Sequence, residues 1–247
     1  MLLRKMFSRT WWFATLLAVA GTLVLIRLGI WQLDRLEQRR AFNAQVISAR
    51  SQPTLDLNLE QPENVNSMEW RPVQFAGTYD FENQIAVRNQ YYNGQAGCHL
   101  LTPLLSNGTA VLVDRGWIPA EGNSKPDDWR KYDEAGEVKV IGQIRLGLGK
   151  PAFGGVADAL PADGSRLPIW NNADVAQVAG QLPYPILPVY IQTKVDASDT
   201  KPPIPFEPEI ELTEGPHFGY AMQWFTFAAI LGFGYPFFVR KQEAHTQ

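Results

Sequence analysis

Apolar residues are concentrated at the two ends of the chain, whereas polar residues and turn formers fill the middle. Within residues 11–33 the only charged side chain is Arg27, and residues 218–239 carry no charge. A helix that crosses a bilayer needs about 20 predominantly apolar residues. The pattern therefore predicts two membrane-spanning helices, over residues 11–33 and 217–239.

Each predicted span has an alternative. Arg4, Lys5 and Arg9, followed by Ala18-Val19-Ala20 with its small residues at the first and third positions, also fit a cleaved signal peptide. Cleavage there would leave an apolar stretch at the start of the remaining chain, so a retained helix explains more of the residues. The second span could be a buried helix of a soluble protein, but its aromatic residues cluster toward both ends, as they do at membrane interfaces.

Basic residues in the short flanks of the spans predict the orientation. Arg4, Lys5 and Arg9 precede the first span, and Arg240 and Lys241 follow the second. Because such residues are retained on the cytoplasmic side, residues 1–10 and 240–247 are predicted to be cytoplasmic. Three arginines just beyond the first span oppose this assignment, but the even number of spans and the long intervening segment weaken their effect.

Residues 34–216 are then predicted to form a β-rich α+β domain outside the cytoplasm. A helix continues out of the first span over residues 34–50 and ends before Pro53, because this stretch has few helix breakers. Alternating apolar positions indicate strands after that. The clearest alternation is Val138, Val140, Gly142, Ile144, Leu146 and Leu148.

Turn residues separate the strand patterns of this domain. Asn93-Gly94, Asn107-Gly108 and Glu121-Gly122-Asn123 favour antiparallel hairpins. A short helix is predicted over residues 172–179, with an asparagine cap and Gly180 as its end. The prolines of residues 201–208 predict a stiff linker. The expected fold is a β-dominated sheet or partial barrel between two membrane helices.

The composition of the chain argues against several classes of function. The chain of 247 residues has a formal net charge of −3 and no clustered basic patch, so it offers no electrostatic field for nucleic acid. Cys98 is the only cysteine, which excludes an intrachain disulfide and a multi-thiolate metal site. The three histidines and the absence of a nucleophile or metal-protease motif make an enzyme the least favoured class.

The adjacent pair Cys98 and His99 could suggest a copper site or a catalytic pair. Adjacent residues in a strand point to opposite faces, so these two cannot easily share one metal ion. A buried cysteine beside a surface histidine is the preferred interpretation.

Of the three histidines, His217 is the one whose position most strongly indicates a function, because it lies where the second span begins. An imidazole at membrane depth loses hydration unless it binds something, and histidine is a common axial ligand of haem iron. A helix starting there places His217, Tyr220, Ala221, Trp224 and Ala228 on one face. This face suits either a flat apolar macrocycle or packing against the first helix.

Several arginines of the middle domain could contact carboxylates. Arg115, with Gly116 and Trp117, follows a strand, and Arg71 and Arg88 lie on other strand patterns. Guanidinium groups bind haem propionates or the acidic groups of a partner in a bidentate manner. Salt bridges that stabilise the sheet are the alternative.

In order along the chain, these motifs resemble the SURF1 family of oxidase assembly factors. The motif at the end of the first span contains Trp31, Gln32 and Arg35. The remaining matches are Arg71-Pro72-Val73 with Gly77, Arg88-Asn89, Gly94 with Gly97, Thr102-Pro103-Leu104, residues 113–119 around Arg115-Gly116-Trp117, and His217 with Tyr220-Ala221 and Trp224-Phe225. Two departures from the family are Asp114, where asparagine is common, and residues 151–166, which lack the expected Asn-Pro pattern.

The resemblance implies a non-enzymatic assembly factor for haem-copper cytochrome c oxidase in a bacterial plasma membrane. It implies that His217 binds haem a, with Tyr220 and Trp224 beside it, and that the partners are oxidase subunit I and haem a synthase. A haem-free chaperone that binds an oxidase subunit through Arg71, Arg88, Arg115 and Trp117 is the alternative function.

Overall fold

The computed structural model describes residues 2–147, 156–196, 200–207 and 210–245. The chain divides into two compact units. The helical unit consists of Met1–Gln45 and Glu211–Gln247, and the β-rich unit is Val46–Ile210. Leu148, and the first part of the segment that departs from the family pattern, lie outside the described residues.

The helical unit contains the two predicted apolar helices. A short helix α1 (Leu2–Met6) precedes α2 (Trp12–Arg50), and α5 (His217–His245) is the last helix of the described residues. The prediction that the first helix continues beyond the apolar run and ends before Pro53 is confirmed. The helix therefore extends into the segment that was assigned to the middle domain, so the compact β-rich unit begins later than residue 34.

The buried and half-buried positions on one side of α2 recur in alternating steps of four and three residues. This is the spacing of a helix that packs along a partner with a heptad repeat. We call this side the inner seam of α2. In the helical unit it begins at Trp11, directly before the helix, and continues with Thr15, Ala18, Thr22, Leu25, Gly29, Gln32, Leu36, Arg39 and Asn43, all of them buried or half-buried.

Helix α5 runs antiparallel to α2 along this seam. The contacts proceed in opposite directions along the two helices, from Gln32 with His217 at one end to Trp11 with Phe238 at the other. Small residues occupy the seam between these ends, and a Cβ atom added to Gly29 would lie only 2.5 Å from the ring of Phe225. Close approach over small residues is how apolar helices pack when both of their outer faces are also apolar.

The outward faces of both helices are apolar and exposed. Each helix is long and apolar enough to cross a membrane, and only 11% of its most apolar stretch is buried. Exposed side chains include Phe13, Leu16, Leu23, Ile230 and Phe233. The core helix of a soluble protein would bury such side chains, so this alternative for the second span does not fit the structure.

Within its described residues, the β-rich unit contains eight strands and two short α-helices. The strands are β1 (Leu55–Asp56), β2 (Pro72–Tyr79), β3 (Ile85–Tyr92), β4 (Gln95–Ser106), β5 (Thr109–Pro119), β6 (Glu137–Arg145), β7 (Ile169–Trp170) and β8 (Tyr190–Thr193). Helix α3 is Pro126–Trp129, and helix α4 is Val175–Ala179.

Five of these strands close into a barrel. Neighbouring strands pair in the order β2, β6, β8, β5 and β4, and β2 pairs with β4 through Thr78 with Leu105 and Tyr79 with Leu104. Strand β1 adds to β2, β3 adds to β4, and β7 adds to β3. The largest core cluster contains Phe75, Leu104, Val111, Val113, Ile144 and Ile191 from the barrel strands. The predicted partial barrel is thus confirmed.

The two predicted Asn-Gly turns connect consecutive strands. Asn93 and Gly94 have φ values of 48° and 78°, and Asn107 and Gly108 have 47° and 81°. Positive φ at both central residues defines the two-residue turn whose twist matches antiparallel strands. These turns produce the hairpins β3–β4 and β4–β5.

One local prediction was wrong in detail. Helix α4 is capped by Asp174, whose carboxylate accepts a hydrogen bond from the Gln177 amide, so it starts later than the predicted asparagine cap.

Residues 201–208 were predicted to be a stiff linker, and Pro208 lies outside the described residues. In the described part, Ile204 forms an antiparallel bridge with Trp117 through two N–H···O bonds of 2.8 Å, so the segment lies along a barrel strand.

Candidate functional site

His217 and Gln32 meet where the second apolar helix begins. The Nδ1 atom of His217 lies 2.8 Å from Oε1 of Gln32. An amide oxygen can only accept a hydrogen bond, so Nδ1 is the donor in this contact, and the tautomer that fits it has the lone pair on Nε2. A histidine held in this way by a second residue is the usual arrangement of a metal-ligating imidazole.

Gly215 lies beside the Nε2 edge of the His217 ring. It has a φ of +67°, and a Cβ atom added there would lie 3.6 Å from Nε2, in van der Waals contact with the ring. On the next turns of α5, Tyr220 is 48% exposed and Trp224 is half-buried, with its ring edge against Phe227.

The same face of α5 also contributes to packing. Ala221 and Ala228 are buried, with relative exposures of 0% and 5%. The sequence left two interpretations of this face, a surface for a flat macrocycle or packing against the first helix. The buried alanines match the packing interpretation. His217, at the start of the helix on this face, is half-buried and contacts Gln32 through Nδ1.

The three residues of the motif at the end of the first span have different surroundings. Gln32 alone points to the inner seam. Trp31 is 43% exposed, and the guanidinium of Arg35 lies 5.7 Å from the centre of its ring. Arg35 also donates a hydrogen bond to Gln38 on the same helix. Trp31 and Arg35 thus form an exposed pair on the outer side of α2.

Polar side chains of α2 fix the segment that leads into His217. The Arg39 Nε and Asn43 Nδ2 atoms both donate to the carbonyl of Thr213, at 3.1 Å each. Arg40 makes a bidentate pair with Glu214, with distances of 2.7 and 2.9 Å, and its hydrogen bond keeps the pKa of Glu214 below its usual value. In the sequence these arginines indicated only a charge that bears on orientation, and this role was not predictable from it.

Arg115 is occupied inside the β-rich unit. It is 5% exposed, donates to Gln84 Oε1 at 3.1 Å and to Glu134 Oε1 at 2.7 Å, and also bonds the carbonyl of Tyr132. Its guanidinium carbon lies 5.0 Å from the ring centre of Tyr79. These contacts match the salt-bridge interpretation of this arginine.

Gly116 and Trp117 hold the returning segment against the barrel. Gly116 has a φ of +124°, and a Cβ atom there would lie 2.3 Å from the carbonyl group of Ile204. Trp117 is 3% exposed, pairs with Ile204 through the backbone, and packs its ring against Tyr92 at 5.4 Å. The close approach explains why the motif contains glycine.

Arg71 and Arg88 lie closer to the surface. Arg71 is half-buried and donates to the Pro53 carbonyl at 3.4 Å. Arg88 is exposed, and its Nε donates to Asn171 Oδ1 at 2.7 Å. The three arginines proposed as a common contact surface therefore have separate hydrogen-bond partners.

His99 is buried, so the expectation of a surface histidine was wrong. Its Nδ1 lies 2.9 Å from Asp114 Oδ2 and 3.1 Å from Oδ1, and both side chains are less than a tenth exposed. The predicted opposition of neighbours holds, because Cys98 packs with Leu100, Ile118 and Trp129 on the other face. Burial raises the pKa of the Cys98 thiol to about 11, which leaves it unreactive near neutral pH.

The His99–Asp114 pair borders a cleft of about 270 Å³ in the β-rich unit. Sequence reasoning missed this pair because the residues are brought together only by the pairing of β4 with β5. Among the residues that the structure describes, no three His, Cys, Asp or Glu side chains are placed to hold a metal ion.

Comparison with known proteins relates the chain to one family. The sequence model of the SURF1 family matches residues 19–229. Surfeit locus protein 1 of Arabidopsis thaliana is 23% identical, over 90% of this chain and 76% of its own length. A SURF1-like protein of Rickettsia felis is 24% identical (84% and 88% covered), and an uncharacterized SURF1-like protein of Mycobacterium bovis is 26% identical (91% and 82% covered).

Proposed function

The chain belongs to the SURF1 family, and we propose that it is a non-enzymatic assembly factor that holds haem a for insertion into subunit I of a haem-copper cytochrome c oxidase. The observation that carries the proposal is the hydrogen bond from His217 Nδ1 to Gln32, which leaves Nε2 available as a ligand. The proposed location is a bacterial plasma membrane with both termini in the cytoplasm.

The exposed apolar faces of α2 and α5 support the membrane location. Large side chains such as Leu16, Leu23 and Ile230 would be exposed to water in a soluble protein, at a cost of about 25 cal/mol per Å² of apolar surface. A bilayer removes this cost. Arg27, the one charged residue of the first span, lies 3.9 Å from Asp34, which stands beyond the span on the side where a long side chain can reach the interface.

Four side chains would hold haem a in this proposal. His217 would supply a nitrogen ligand to the iron, Gln32 would fix its ring, and Tyr220 and Trp224 would contact the apolar macrocycle. Haem a, once bound, supplies the redox-active iron centre that the oxidase requires. The hydrogen bonds of Arg39 and Asn43 to the Thr213 carbonyl would keep His217 at the entrance of the helix pair, where a flat ligand can enter and leave.

A haem-free chaperone that binds an oxidase subunit is the second candidate. The exposed Trp31–Arg35 pair and the exposed Arg88 favour it, because aromatic and arginine side chains are enriched at protein interfaces. In both versions subunit I is the expected partner. Haem a synthase is a further partner of the haem-carrying version.

The test is the visible absorption spectrum, oxidised and reduced, of the detergent-purified full chain from cells that make haem a. We expect a haem a spectrum that is lost in His217→Ala. The matched control is Gln223→Ala, which changes an exposed residue on the same helix and should retain the spectrum.

Haem in both variants would exclude His217 as the ligand. Absence of haem from the unmodified chain, together with co-purification of subunit I, would replace the haem carrier by the chaperone.

A further inference from the structure

One amide side chain lies on the exposed side of α5, within its apolar run. Gln223 is the only asparagine or glutamine in residues 218–239, which carry no charge. Its side chain is exposed and makes no hydrogen bond within the part of the chain that the structure describes. It follows His217 by six residues, or about 9 Å along the helix axis. In a membrane, this position offers no water to its two N–H donors and its oxygen.

The neighbouring polar residue on this side of the helix is satisfied internally. The Thr226 hydroxyl donates to the carbonyl of Met222 on the same helix at 2.8 Å. A lysine or arginine could extend its charge to the membrane surface, but glutamine has a shorter side chain. Gln223 therefore requires a hydrogen-bond partner from outside its own helix.

Gln223 belongs to a continuous stripe of exposed residues along α5. We call this stripe the outer seam of α5, and its members follow one another in alternating steps of four and three residues. At about 100° per residue, the stripe lies opposite the buried Ala221 and Ala228, so it faces away from α2. This is the geometry of a surface that a second helix can contact along its length. The outer seam consists of Gly219, Gln223, Thr226, Ile230, Phe233 and Phe237.

The glycine of the outer seam allows another helix to come close. A Cβ atom added to Gly219 would meet nothing within 4 Å, so no neighbour among the described residues excludes a side chain there. Helices in membranes approach closely where a small residue lies at their contact, and glutamine side chains form hydrogen bonds across such contacts. Gly219 lies one turn before Gln223, where it lets the amide reach a partner.

A second copy of this chain is the partner that matches Gln223. Two copies inserted in one membrane have the same orientation, so their α5 helices are parallel and the two Gln223 side chains lie at the same depth. An amide is both a donor and an acceptor, so each Nε2 can donate to the Oε1 of the other copy. The outer seam carries no charge that would repel its own copy.

We propose that the outer seam of α5 is the interface of a parallel homodimer in the membrane, joined by reciprocal hydrogen bonds between the two Gln223 side chains. The proposal rests on the membrane location proposed above for α5. His217 contacts Gln32 on the α2 side of the helix. Each copy therefore keeps its own His217 away from the interface.

Cysteine cross-linking in the membranes of the expressing cells tests which face meets the second copy. Ile230→Cys lies on the outer seam, and Ala229→Cys is also exposed but lies about 100° around the helix from it. Oxidation with copper phenanthroline should join two copies through Ile230→Cys and not through Ala229→Cys. The unmodified chain, whose Cys98 is buried, should not cross-link.

The affinity of the dimer is measured by energy transfer between full chains in lipid vesicles, labelled at Lys241→Cys, as the lipid-to-protein ratio is raised. Gln223→Leu loses the amide but stays apolar, and it should weaken association at least about threefold. Gly219→Leu adds volume at the interface and should weaken it at least about tenfold, which corresponds to about 1.4 kcal/mol. Ala229→Leu is the matched control for added volume and should associate as the unmodified chain does.

Cross-linking through Ile230→Cys alone, with weaker energy transfer in Gln223→Leu, supports the dimer. The proposal is overturned if the copies show no energy transfer at any lipid ratio, or if Gln223→Leu associates as strongly as the unmodified chain. It is also overturned if Ala229→Cys cross-links as well as Ile230→Cys, or if Ala229→Leu weakens association as much as Gly219→Leu. Cross-linking of Ile230→Cys to a different protein would replace the second copy by the helix of another partner.

Failure of the membrane location gives a different result. In that case Ile230→Cys would react with a membrane-impermeant maleimide in opened spheroplasts, and the dimer and the haem site would both lose their premise. Loss of the dimer alone leaves the haem spectrum unchanged, because Gln223 and His217 lie on different sides of α5.

Discussion

The contact between His217 and Gln32 joins two residues that are 185 positions apart in the sequence. Its role in the proposed function depends on which nitrogen carries the proton. As long as the amide oxygen of Gln32 accepts from Nδ1, the plane of the ring is fixed and Nε2 would be the ligand atom in the proposed function. Gln32 would then be a positioning residue that does not touch the iron.

We expect Gln32→Leu to weaken haem retention about 10- to 100-fold, because losing the hydrogen-bond partner of a metal-ligating histidine has about this effect on affinity. Gln32→Glu should restore retention, since its carboxylate also accepts from Nδ1. The measurement is the haem-to-protein ratio after washing, together with the reduced absorption maximum. Equal retention in the leucine and glutamate variants would show that Gln32 only packs.

Gly116 illustrates a different constraint on a single residue. Its positive φ and the close approach of Ile204 both exclude a side chain. Gly116→Ala should lower the free energy of unfolding by about 4 kcal/mol, the sum of the backbone strain and the steric overlap. The measurement is thermal unfolding of the full chain in detergent, followed by near-ultraviolet circular dichroism.

Gly108→Ala is the matched control for Gly116. Gly108 also has a positive φ, of +81°, but a Cβ atom there would have no neighbour within 4 Å. It should therefore show only the backbone cost of about 1–2 kcal/mol. Equal effects of the two substitutions would mean that the segment around Ile204 moves away to admit the methyl group.

At the scale of single residues, the sequence was informative where a residue type is unusual for its place. A histidine at the start of an apolar run, and a glycine between arginine and tryptophan, are such cases. His99 and Asp114 gave no such indication, because their contact arises from the register of β4 against β5. A slip of one residue would separate them, and no local pattern reveals that register.

At the scale of elements, the two helices were predictable in position but not in their contact. Their outer faces are as apolar as a bilayer requires, so the apolar pattern does not indicate which side faces the partner. The inner seam of α2 is instead marked by small and polar residues, such as Thr15, Gly29 and Gln32. Packing over small residues should make the pair sensitive to added volume.

Gly29→Leu should lower the midpoint of thermal unfolding, by an amount that corresponds to about 1–3 kcal/mol of overpacking against Phe225. Phe225→Ala removes the ring, so the double variant should recover part of the loss. Far-ultraviolet circular dichroism of the full chain in detergent measures both effects. Gly234→Leu is the control, because a Cβ atom at Gly234 meets nothing within 4 Å. If the loss in the double variant equals the sum of the two single losses, the proposed contact is wrong.

The strand pairings of the barrel were predictable where a short turn joins the two strands, and not where the strands are far apart in the sequence. The Asn-Gly turns at residues 93–94 and 107–108 fix two hairpins from the sequence alone. Closure depends on the pairing of β2 with β4 and on the parallel pairing of β5 with β8, which join distant segments. No turn specifies these pairings, so the barrel could be anticipated but its strand order could not.

At the scale of the whole molecule, the sequence indicated a domain between two apolar helices, and the structure contains these parts. The bounds differ, because α2 remains helical to Arg50 and the segment before α5 is bound to α2 through Arg39 and Asn43. The compact β-rich unit is therefore Val46–Ile210. The side of the membrane on which this unit lies follows only from the basic flanks, which makes orientation the property most in need of a test.

The buried cysteine makes that test simple. Since burial raises the pKa of Cys98 to about 11, its thiol should not react with a maleimide in the folded protein. New cysteines can then be introduced one at a time without removing it. Leu59→Cys places a thiol on the β-rich unit at a position that is 83% exposed, and Lys241→Cys places one after the second apolar run.

With a membrane-impermeant maleimide and intact spheroplasts, we expect Leu59→Cys to label and Lys241→Cys to label only after the membrane is opened. The unmodified chain, in which Cys98 is the only thiol, should remain unlabelled in both conditions. The reverse pattern would invert the proposed orientation. Labelling of both positions in intact spheroplasts would place the second helix outside the membrane interior, and the haem proposal would then lose the desolvated environment on which it depends.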